Sequence, residues 1–163
     1  MNKKRYLANK EWFKSHGTAL KLLEIMYRVL PLIMVLVYPM LIVIKGFMGV
    51  DHQLLRMIYI PLIVLIEITV LRKLINRPRP YEAYDTAPVV KRDGKGCSFP
   101  SRHTGSAFII AMSAIPVSPI AAIVLIAVAA IIGLTRIFSG VHYISDVLMG
   151  AGLAVVTGLI FLI

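Results

Sequence analysis

The sequence is poor in cysteine and in acidic residues. Cys97 is the single cysteine among 163 residues, so the chain has no internal disulfide bond and a thiolate metal site has no second sulfur ligand. Only 8 residues are acidic, against 18 lysines and arginines, and they form no cluster that offers oxygen ligands to a hard cation. We therefore predict neither a metal ion nor any other cofactor.

Long polar stretches are also scarce, which argues against a soluble protein. Hydrophobic residues make up 58% of the chain and the mean hydropathy is +0.81. Several apolar runs approach the length that a bilayer requires. No cleavable secretory signal, internal repeat or low-complexity linker is recognisable. The sequence therefore predicts one membrane-embedded domain over residues 1–163, which stays in the membrane whole.

The net charge of +10 is not spread evenly along the chain. Most lysines and arginines fall in two islands, residues 1–28 and residues 72–102. On a membrane protein, this pattern favours one surface for anionic lipid headgroups and one pocket for an anionic substrate. We predict membrane lipids as partners and no binding of nucleic acid.

The apolar runs predict an all-α fold, a polytopic transmembrane bundle of about five spanning helices plus an amphipathic N-terminal helix. Residues 1–28 mix apolar and charged side chains around Trp12 and Phe13, a pattern typical of a helix in the headgroup layer. Six prolines and glycines make residues 76–100 the one long loop. The spanning helices are predicted at residues 29–44, 54–71 and about 103–115, then from the turn at residues 116–119 to about 138, and from about 142 to 163.

Three short polar clusters interrupt these helices at their ends. In the last cluster, His142 and Asp146 stand four residues apart at the start of a predicted helix, so they share one face and the carboxylate can hold a ring nitrogen of the imidazole. Such a carboxylate fixes the tautomer that leaves the other ring nitrogen free to attack. The pair therefore predicts a nucleophile with its orienting partner, whereas an isolated histidine is more often structural.

The middle cluster, Pro100-Ser101-Arg102-His103, lies at the start of another predicted helix. Backbone N–H groups and the helix dipole favour an anion there. His103 is placed to protonate a leaving oxygen. Ser101 either donates to a phosphate oxygen or caps the helix.

Three arginines complete the pattern. Phosphoryl transfer requires neutralisation of the charge on the equatorial oxygens, and arginine does this with two parallel hydrogen bonds. Arg72, Arg79 and Arg136 are the candidates, although Arg72 alone would also fit an arginine that extends to the membrane interface. The sequence thus predicts phosphate-transfer chemistry without a metal ion.

These residues resemble the signature of the type 2 phosphatidic acid phosphatase superfamily. Its motifs are Lys-x6-Arg-Pro, Pro-Ser-Gly-His and Ser-Arg-x5-His-x3-Asp, and their order and spacing are matched between residues 72 and 146. The resemblance implies that His142 attacks phosphorus and forms a phosphohistidine, that Asp146 is its partner and that His103 is the acid for the leaving group. It also implies a set of phosphate ligands, namely Arg79, Arg136 and Ser101.

Three positions depart from these motifs. Arg72 stands where lysine is usual, and Thr135 replaces serine but keeps a hydroxyl group. Arg102 replaces the glycine, which hinders close approach of the backbone to phosphate but adds a cation for a second phosphate. We predict Arg72 and Arg102 as further phosphate-binding residues.

The resemblance implies an integral-membrane lipid phosphatase that acts on a phosphomonoester or a diphosphate. Candidate substrates are undecaprenyl diphosphate, phosphatidylglycerol phosphate and phosphatidic acid, and the charge of Arg77, Arg102 and Lys73 beyond the expected ligands favours the diphosphate. A non-catalytic phospholipid-binding or transport protein is the alternative, but it has little need for both motif histidines. A vanadium haloperoxidase of the same superfamily is disfavoured, because those relatives are soluble.

We expect a multi-pass protein of a bacterial cell membrane, and the resemblance favours an active site on the extracytoplasmic side. Only two predicted spans precede the catalytic loop 76–100, whereas bundles of this superfamily usually have six core helices. The N-terminus and the loop are therefore expected on the same side of the membrane. Either the helix over residues 5–28 partly replaces a missing first span, or the sidedness of the site differs from that of the superfamily. The basic N-terminus, if cytoplasmic, favours the opposite sidedness.

Overall fold

The chain folds into helices joined by turns and one long loop. The computed structural model describes residues 2–91 and 95–163. Its helices are α1 (Lys3–Ser15), α2 (Gly17–Met48), α3 (His52–Ile75), α4 (Pro80–Ala83), α5 (Arg102–Ser113), α6 (Pro119–Phe138) and α7 (Ile144–Gly158), and a 3₁₀ turn over Leu159–Leu162 extends α7. No strand occurs within the described ranges. The all-α prediction is confirmed.

Within residues 2–91 and 95–163, four helical stretches are long and apolar enough to cross a membrane. They are α2, the stretch His52–Ala83 that begins with α3, α6, and the stretch Ile144–Leu162 that contains α7. Helix α5 has 12 residues, most of them buried in the bundle, and a length of about 18 Å. The bundle is polytopic as predicted, but the third of the five predicted spans is a short central helix.

The N-terminal segment differs from the prediction. Residues 1–28 do not form one amphipathic helix, because the chain leaves helical geometry at His16, where φ is −119° and ψ is 75°. Helix α1 ends one residue earlier, and residues 17–28 are the first turns of α2, which continues through the first apolar run. Leu23 is buried against Phe13 and Val90. This part of α2 is therefore held by tertiary packing, not by the headgroup layer alone.

The core of the bundle is built around α5, which packs against α3, α6 and α7. Helix α3 contributes Met57, Ile60, Val64 and Ile68, which recur every three or four residues and so lie on one face. The outward faces of the long helices are also apolar, with side chains such as Leu36 exposed. Helices that are hydrophobic on all sides suit a lipid environment.

Helix α7 approaches α5 closely at a glycine. A Cβ atom on Gly150 would lie 2.5 Å from the Ser101 carbonyl oxygen, which itself accepts the Gly105 N–H at 3.0 Å. The same turn is tied to α7 because the Ser101 N–H donates to the Asp146 carbonyl oxygen at 2.8 Å. A side chain at position 150 therefore requires the first turn of α5 to move.

We expect Gly150→Ala to destabilise the bundle by about 1–3 kcal/mol, the usual cost of overpacking. Thermal unfolding of the detergent-solubilised protein measures the change. Gly152→Ala on the same helix is the matched control, because a Cβ atom on Gly152 would meet no other atom within 4 Å. Equal melting temperatures for the two variants would contradict the close approach of α5 and α7.

Helix α1 packs at the end of the bundle where α6 ends and α7 begins. The Asn9 Nδ2 atom donates to the Phe138 carbonyl oxygen at 2.9 Å. Lys10 Nζ donates to Thr86 Oγ1 in the long loop, and the buried Tyr6 ring meets Gly140. The N-terminus and the long loop therefore lie at the same end of the molecule, as two intervening spans would require.

Candidate active site

The three polar clusters meet at this end of the bundle. Arg72 Nη1, in the last turn of α3, donates to the Pro100 carbonyl oxygen at 2.9 Å. Arg79 Nη1 donates to the Val141 carbonyl oxygen at 3.2 Å. Arg72 and Arg79, which belong to the first polar cluster (residues 72–80), thus contact the other two clusters, although the three are distant in sequence. Of the predicted catalytic loop 76–100, residues 92–94 lie outside the described residues.

His142 and Asp146 are in contact, but they do not share a helical face. Helix α7 begins at Ile144, so His142 precedes it and only Asp146 lies in its first turn. The Asp146 Oδ2 atom accepts the Tyr143 N–H at 2.9 Å, which caps the helix. The same oxygen lies 3.3 Å from His142 Nδ1. The side chain that caps α7 therefore also orients the imidazole.

The Asp146 carboxylate is fully buried and has two further partners from the long loop. The Ser98 hydroxyl donates to Oδ2, and Arg77 Nη1 donates to Oδ1 at 2.9 Å. A buried carboxylate is tolerated when hydrogen bonds and an opposite charge compensate its desolvation. The loop thus supplies the hydrogen bonds and the positive charge that offset the desolvation of Asp146. Helix α7 alone does not supply them.

His142 is buried, with 1% of its surface exposed. Burial lowers the pKa of His142 to about 4, the hydrogen bond to Asp146 opposes this shift, and the positive charges of Arg79 and Arg72 add to it. The imidazole is therefore neutral at pH 7. With Nδ1 directed at Asp146, the Nε2 lone pair is the one available to a substrate.

Arg79 is held in place by the loop that carries it. Its side chain is buried, and its Nε donates to the Gly96 carbonyl oxygen at 3.1 Å. The Glu82 carboxylate accepts the Arg79 N–H at 2.7 Å and the Gly96 N–H at 3.0 Å. Glu82 therefore joins the two ends of the loop around the guanidinium group.

Arg136 is held by the first part of α2. Its guanidinium carbon lies 3.7 Å from the centroid of the Tyr27 ring, and its Nη2 donates to the Tyr27 carbonyl oxygen at 2.9 Å. A cation over an aromatic face is stabilised most where water is excluded, and only 1% of the Arg136 surface is exposed. The segment that was predicted to lie in the headgroup layer thus positions a motif arginine.

Ser101 and Arg72 each had two interpretations. Ser101 occupies the N-cap position of α5 but makes no side-chain capping bond, and its Oγ lies 2.9 Å from Thr104 Oγ1 in the buried interior. Helix capping is therefore not the role of its hydroxyl group.

Arg72 is half-buried and turns towards Pro100, which is unlike an arginine that extends to the membrane interface.

Arg102 and His103 lie at the mouth of an apolar groove. A cavity of about 210 Å³ contains both side chains. It continues into a second cavity of about 430 Å³, and the two share the lining residues Val35, Leu65, Ser106 and Ile110. The groove runs between α2, α3 and α5. It offers apolar surface directly beside a polar site.

Four residues that the sequence analysis did not place in the site contribute to its geometry: Tyr27, Arg77, Glu82 and Ser98. The sequence gives one indication that Arg77 belongs to the site, because this arginine adds positive charge within Arg77-Pro78-Arg79-Pro80. Tyr27, Glu82 and Ser98 have no such indication, because their roles arise only when the loop and α2 fold against α6 and α7.

Comparison with known protein families decides the class of protein. The model of the PAP2 superfamily matches residues 53–163. The chain belongs to the PAP2 superfamily. The matched residues include every motif position, while α1 and α2 lie outside the PAP2 match. Among curated protein sequences, none matches the chain significantly.

Several solved structures resemble this PAP2 chain, among them the following two crystal structures. Aquifex aeolicus LpxE shares 26% identity at a TM-score of 0.69, over 86% of this chain and 86% of that chain. The first transmembrane PAP2 type phosphatidylglycerolphosphate phosphatase from Bacillus subtilis shares 21% identity at a TM-score of 0.53, over 96% of this chain and 90% of that chain. The resemblance drawn from the motifs is confirmed. With its apolar helices, the chain is a multi-pass membrane protein of the PAP2 phosphatase class.

Proposed function

We propose that this PAP2 protein hydrolyses a lipid phosphomonoester or diphosphate through a phosphohistidine, and that no metal ion takes part. One observation carries the proposal. His142 is buried and neutral, Asp146 holds its Nδ1 side, and the positive charges of Arg72 and Arg79 act on it. This arrangement suits a nitrogen nucleophile that attacks a dianionic group.

The reaction has two steps. Nε2 of His142 attacks the terminal phosphorus, and the bond from that phosphorus to the oxygen of the leaving lipid alcohol or lipid monophosphate breaks. His103 donates a proton to that leaving oxygen. Asp146 stabilises the positive imidazole that results. His103 then removes a proton from water, the resulting hydroxide displaces phosphate from Nε2, and His142 returns to its neutral form. The proposed phosphate ligands are Arg72, Arg79, Ser101, Arg102 and Arg136.

The groove beside His103 supports a lipid as the substrate. A hydrocarbon chain placed in this groove between α2 and α3 would lie among apolar side chains, while its phosphate end would reach Arg102 and His103. The name of the Bacillus subtilis structure specifies phosphatidylglycerolphosphate for that protein. We include phosphatidylglycerol phosphate and phosphatidic acid as candidates here, beside undecaprenyl diphosphate.

Fewer cations are left to bind a second phosphate than the sequence predicts. Arg77 is engaged with Asp146, so its charge is directed at the carboxylate. Arg102, exposed at the mouth of the groove, and Lys73, exposed in the last turn of α3, are the cations that remain for a second phosphate. We propose undecaprenyl diphosphate as the preferred substrate on this ground.

Phosphate release by the purified protein in detergent, with excess chelator, tests the proposal. We expect release to survive chelation and to be fastest with undecaprenyl diphosphate, followed by phosphatidylglycerol phosphate and phosphatidic acid. Arg102→Gly should lower the ratio of diphosphate to monophosphate turnover by about tenfold, the value of one hydrogen bond to a charged group. Lys4→Gln removes an exposed cation from α1, outside the site, and is the matched control.

Each result bears on one part of the proposal. A requirement for added divalent cations would contradict metal-independent hydrolysis. Equal turnover of diphosphate and monophosphate lipids, with no change in Arg102→Gly, would remove the charge argument. No release from any of the three lipids would favour a non-catalytic phospholipid-binding protein.

We further propose that the site faces the extracytoplasmic side of a bacterial cell membrane, as the resemblance implies. Because α1 contacts the loop and the end of α6, the basic N-terminus would then lie on that side too. Labelling of a cysteine introduced at Lys4, in a Cys97→Ser background, by a membrane-impermeant reagent on intact cells would support this sidedness. Labelling only after lysis would reverse it.

A further inference from the structure

Arg77 lies outside the motif positions, yet it contacts the centre of the site. Its Nη1 atom donates to Asp146 Oδ1 at 2.9 Å and to Ser145 Oγ at 2.8 Å. Its guanidinium carbon lies 4.0 Å from the centroid of the Tyr143 ring. All three contacts fall on the residues that begin α7. Arg77 is therefore fixed by a hydrogen-bond fork and an aromatic face, as a positioned arginine requires.

The end of α3 and the returning loop hold Arg77 beside Ser98. Asn76 ends α3 with φ at 38°, and its Oδ1 accepts the Cys97 N–H at 3.2 Å. The Arg77 carbonyl oxygen accepts the Ser98 N–H at 2.9 Å. Because Arg77 and Ser98 are paired through the backbone, their side chains reach the Asp146 carboxylate together.

The two oxygens of Asp146 have different partners. Oδ2 faces His142 and accepts from Ser98 and the Tyr143 N–H, whereas Oδ1 accepts from Arg77. The guanidinium therefore fixes the rotation of the carboxylate from the side opposite to the imidazole. It also draws negative charge towards Oδ1, which weakens the attraction of Asp146 for a protonated imidazole.

We propose that Arg77 is a positioning residue that acts through Asp146: it holds Oδ2 against Nδ1 of His142 and weakens the attraction of the carboxylate for a protonated imidazole. This inference rests on the proposed function, in which neutral His142 attacks phosphorus. Arg77 does not bind the transferred phosphate, since its guanidinium is directed at the carboxylate. The charged groups that face His142 are Asp146 on α7, Arg79 on the loop and Arg72 at the end of α3.

Kinetics of Arg77→Gln separate positioning from phosphate binding. We expect kcat to fall by about 10²-fold, the cost of a misplaced catalytic group, with KM nearly unchanged. The acid limb of kcat/KM should move to higher pH by about 0.5–1 unit, because Asp146 then acts on His142 with its full charge. The comparison with wild type uses the same lipid, so ionisation of the substrate cancels. A raised KM with an unmoved acid limb would overturn the proposal in favour of phosphate binding.

Two further variants serve as references. Arg77→Lys keeps the charge but loses the fork and the stacking surface, so it should keep the acid limb near its wild-type position while kcat falls less. Lys4→Gln removes an exposed cation from α1 and should leave both kcat and the acid limb unchanged.

Titration of His142 by NMR makes the result independent of catalysis. With histidine labelled with ¹⁵N, and the signal assigned by its loss in His142→Gln, we expect the midpoint of His142 to rise by about 0.5–1 unit in Arg77→Gln and to stay near the wild-type value in Arg77→Lys. An unmoved midpoint in Arg77→Gln, even with a lowered melting temperature, would overturn the proposal and leave Arg77 a structural clamp. A moved midpoint in a protein that releases no phosphate would support the coupling and reject only the proposed function.

Discussion

His142→Ala is expected to lower the rate of phosphate release by about 10⁴–10⁶-fold and to remove the covalent phosphoenzyme altogether. The proposed reaction passes through a bond between Nε2 of His142 and phosphorus, and alanine offers no atom for that bond. Arg79, Arg136 and Ser101 remain in place, so the variant should still bind phosphate. The loss is therefore expected in kcat and not in affinity.

The measurement is an alkaline quench of the enzyme with a lipid labelled in its transferred phosphate, because phosphohistidine survives alkali and is lost in acid. His52→Ala is the matched control, since His52 is exposed at the opposite end of α3. Binding of inorganic vanadate by His142→Ala checks that the pocket is still formed. Labelled protein in that variant, or near-normal release of phosphate, would refute the assignment of His142 as the nucleophile.

The helix boundaries that the sequence predicts well are those with local signals. Helix α6 starts where Ser118 Oγ accepts the Ala121 N–H at 3.3 Å and Pro119 occupies the first helical position. It ends before Gly140, whose φ of 76° is accessible to glycine at little cost. These features depend on a few neighbouring residues, so the sequence alone reports them.

The break between α1 and α2 has only a weak local signal, the glycine at position 17. His16 makes no side-chain capping bond to α2, and the residues on both sides of it have a similar mixture of apolar and charged side chains. What separates the two helices is the packing of α1 against the loop and α6, which involves residues more than 70 positions away. A hydropathy average does not detect this packing, so residues on both sides of His16 are predicted as one helix.

The same distinction applies to the site. The motif residues could be predicted because the chemistry of phosphate transfer fixes their types and their spacing within each cluster. The partners of those residues could not. Arg77 and Arg79 are two positions apart with a proline after each, yet one donates to Asp146 and the other to Val141 and Gly96. Only the path of the loop decides which arginine meets which acceptor.

Asp146→Asn is expected to lower kcat by about 10²–10⁴-fold with a smaller change in KM. The Asp146 carboxylate accepts a hydrogen bond from Nδ1 of His142, so the lone pair is left on Nε2. An asparagine that directs its amide group at Nδ1 donates instead, and the proton then resides on Nε2, where it blocks attack. The substitution also removes the charge that pairs with Arg77 and stabilises the positive imidazole.

Steady-state kinetics of wild type, Asp146→Asn and Asp51→Asn separate this effect from a general loss of carboxylates. Asp51 caps α3 at the other end of the bundle, where it accepts from the Leu54 N–H at 3.0 Å and from Lys45 Nζ at 2.7 Å. Asparagine caps helices as well as aspartate does, so Asp51→Asn should retain full activity. A kcat of Asp146→Asn within threefold of wild type would mean that another group sets the tautomer of His142. Asp146 would then serve only to anchor Ser98, Tyr143 and Arg77 at the start of α7.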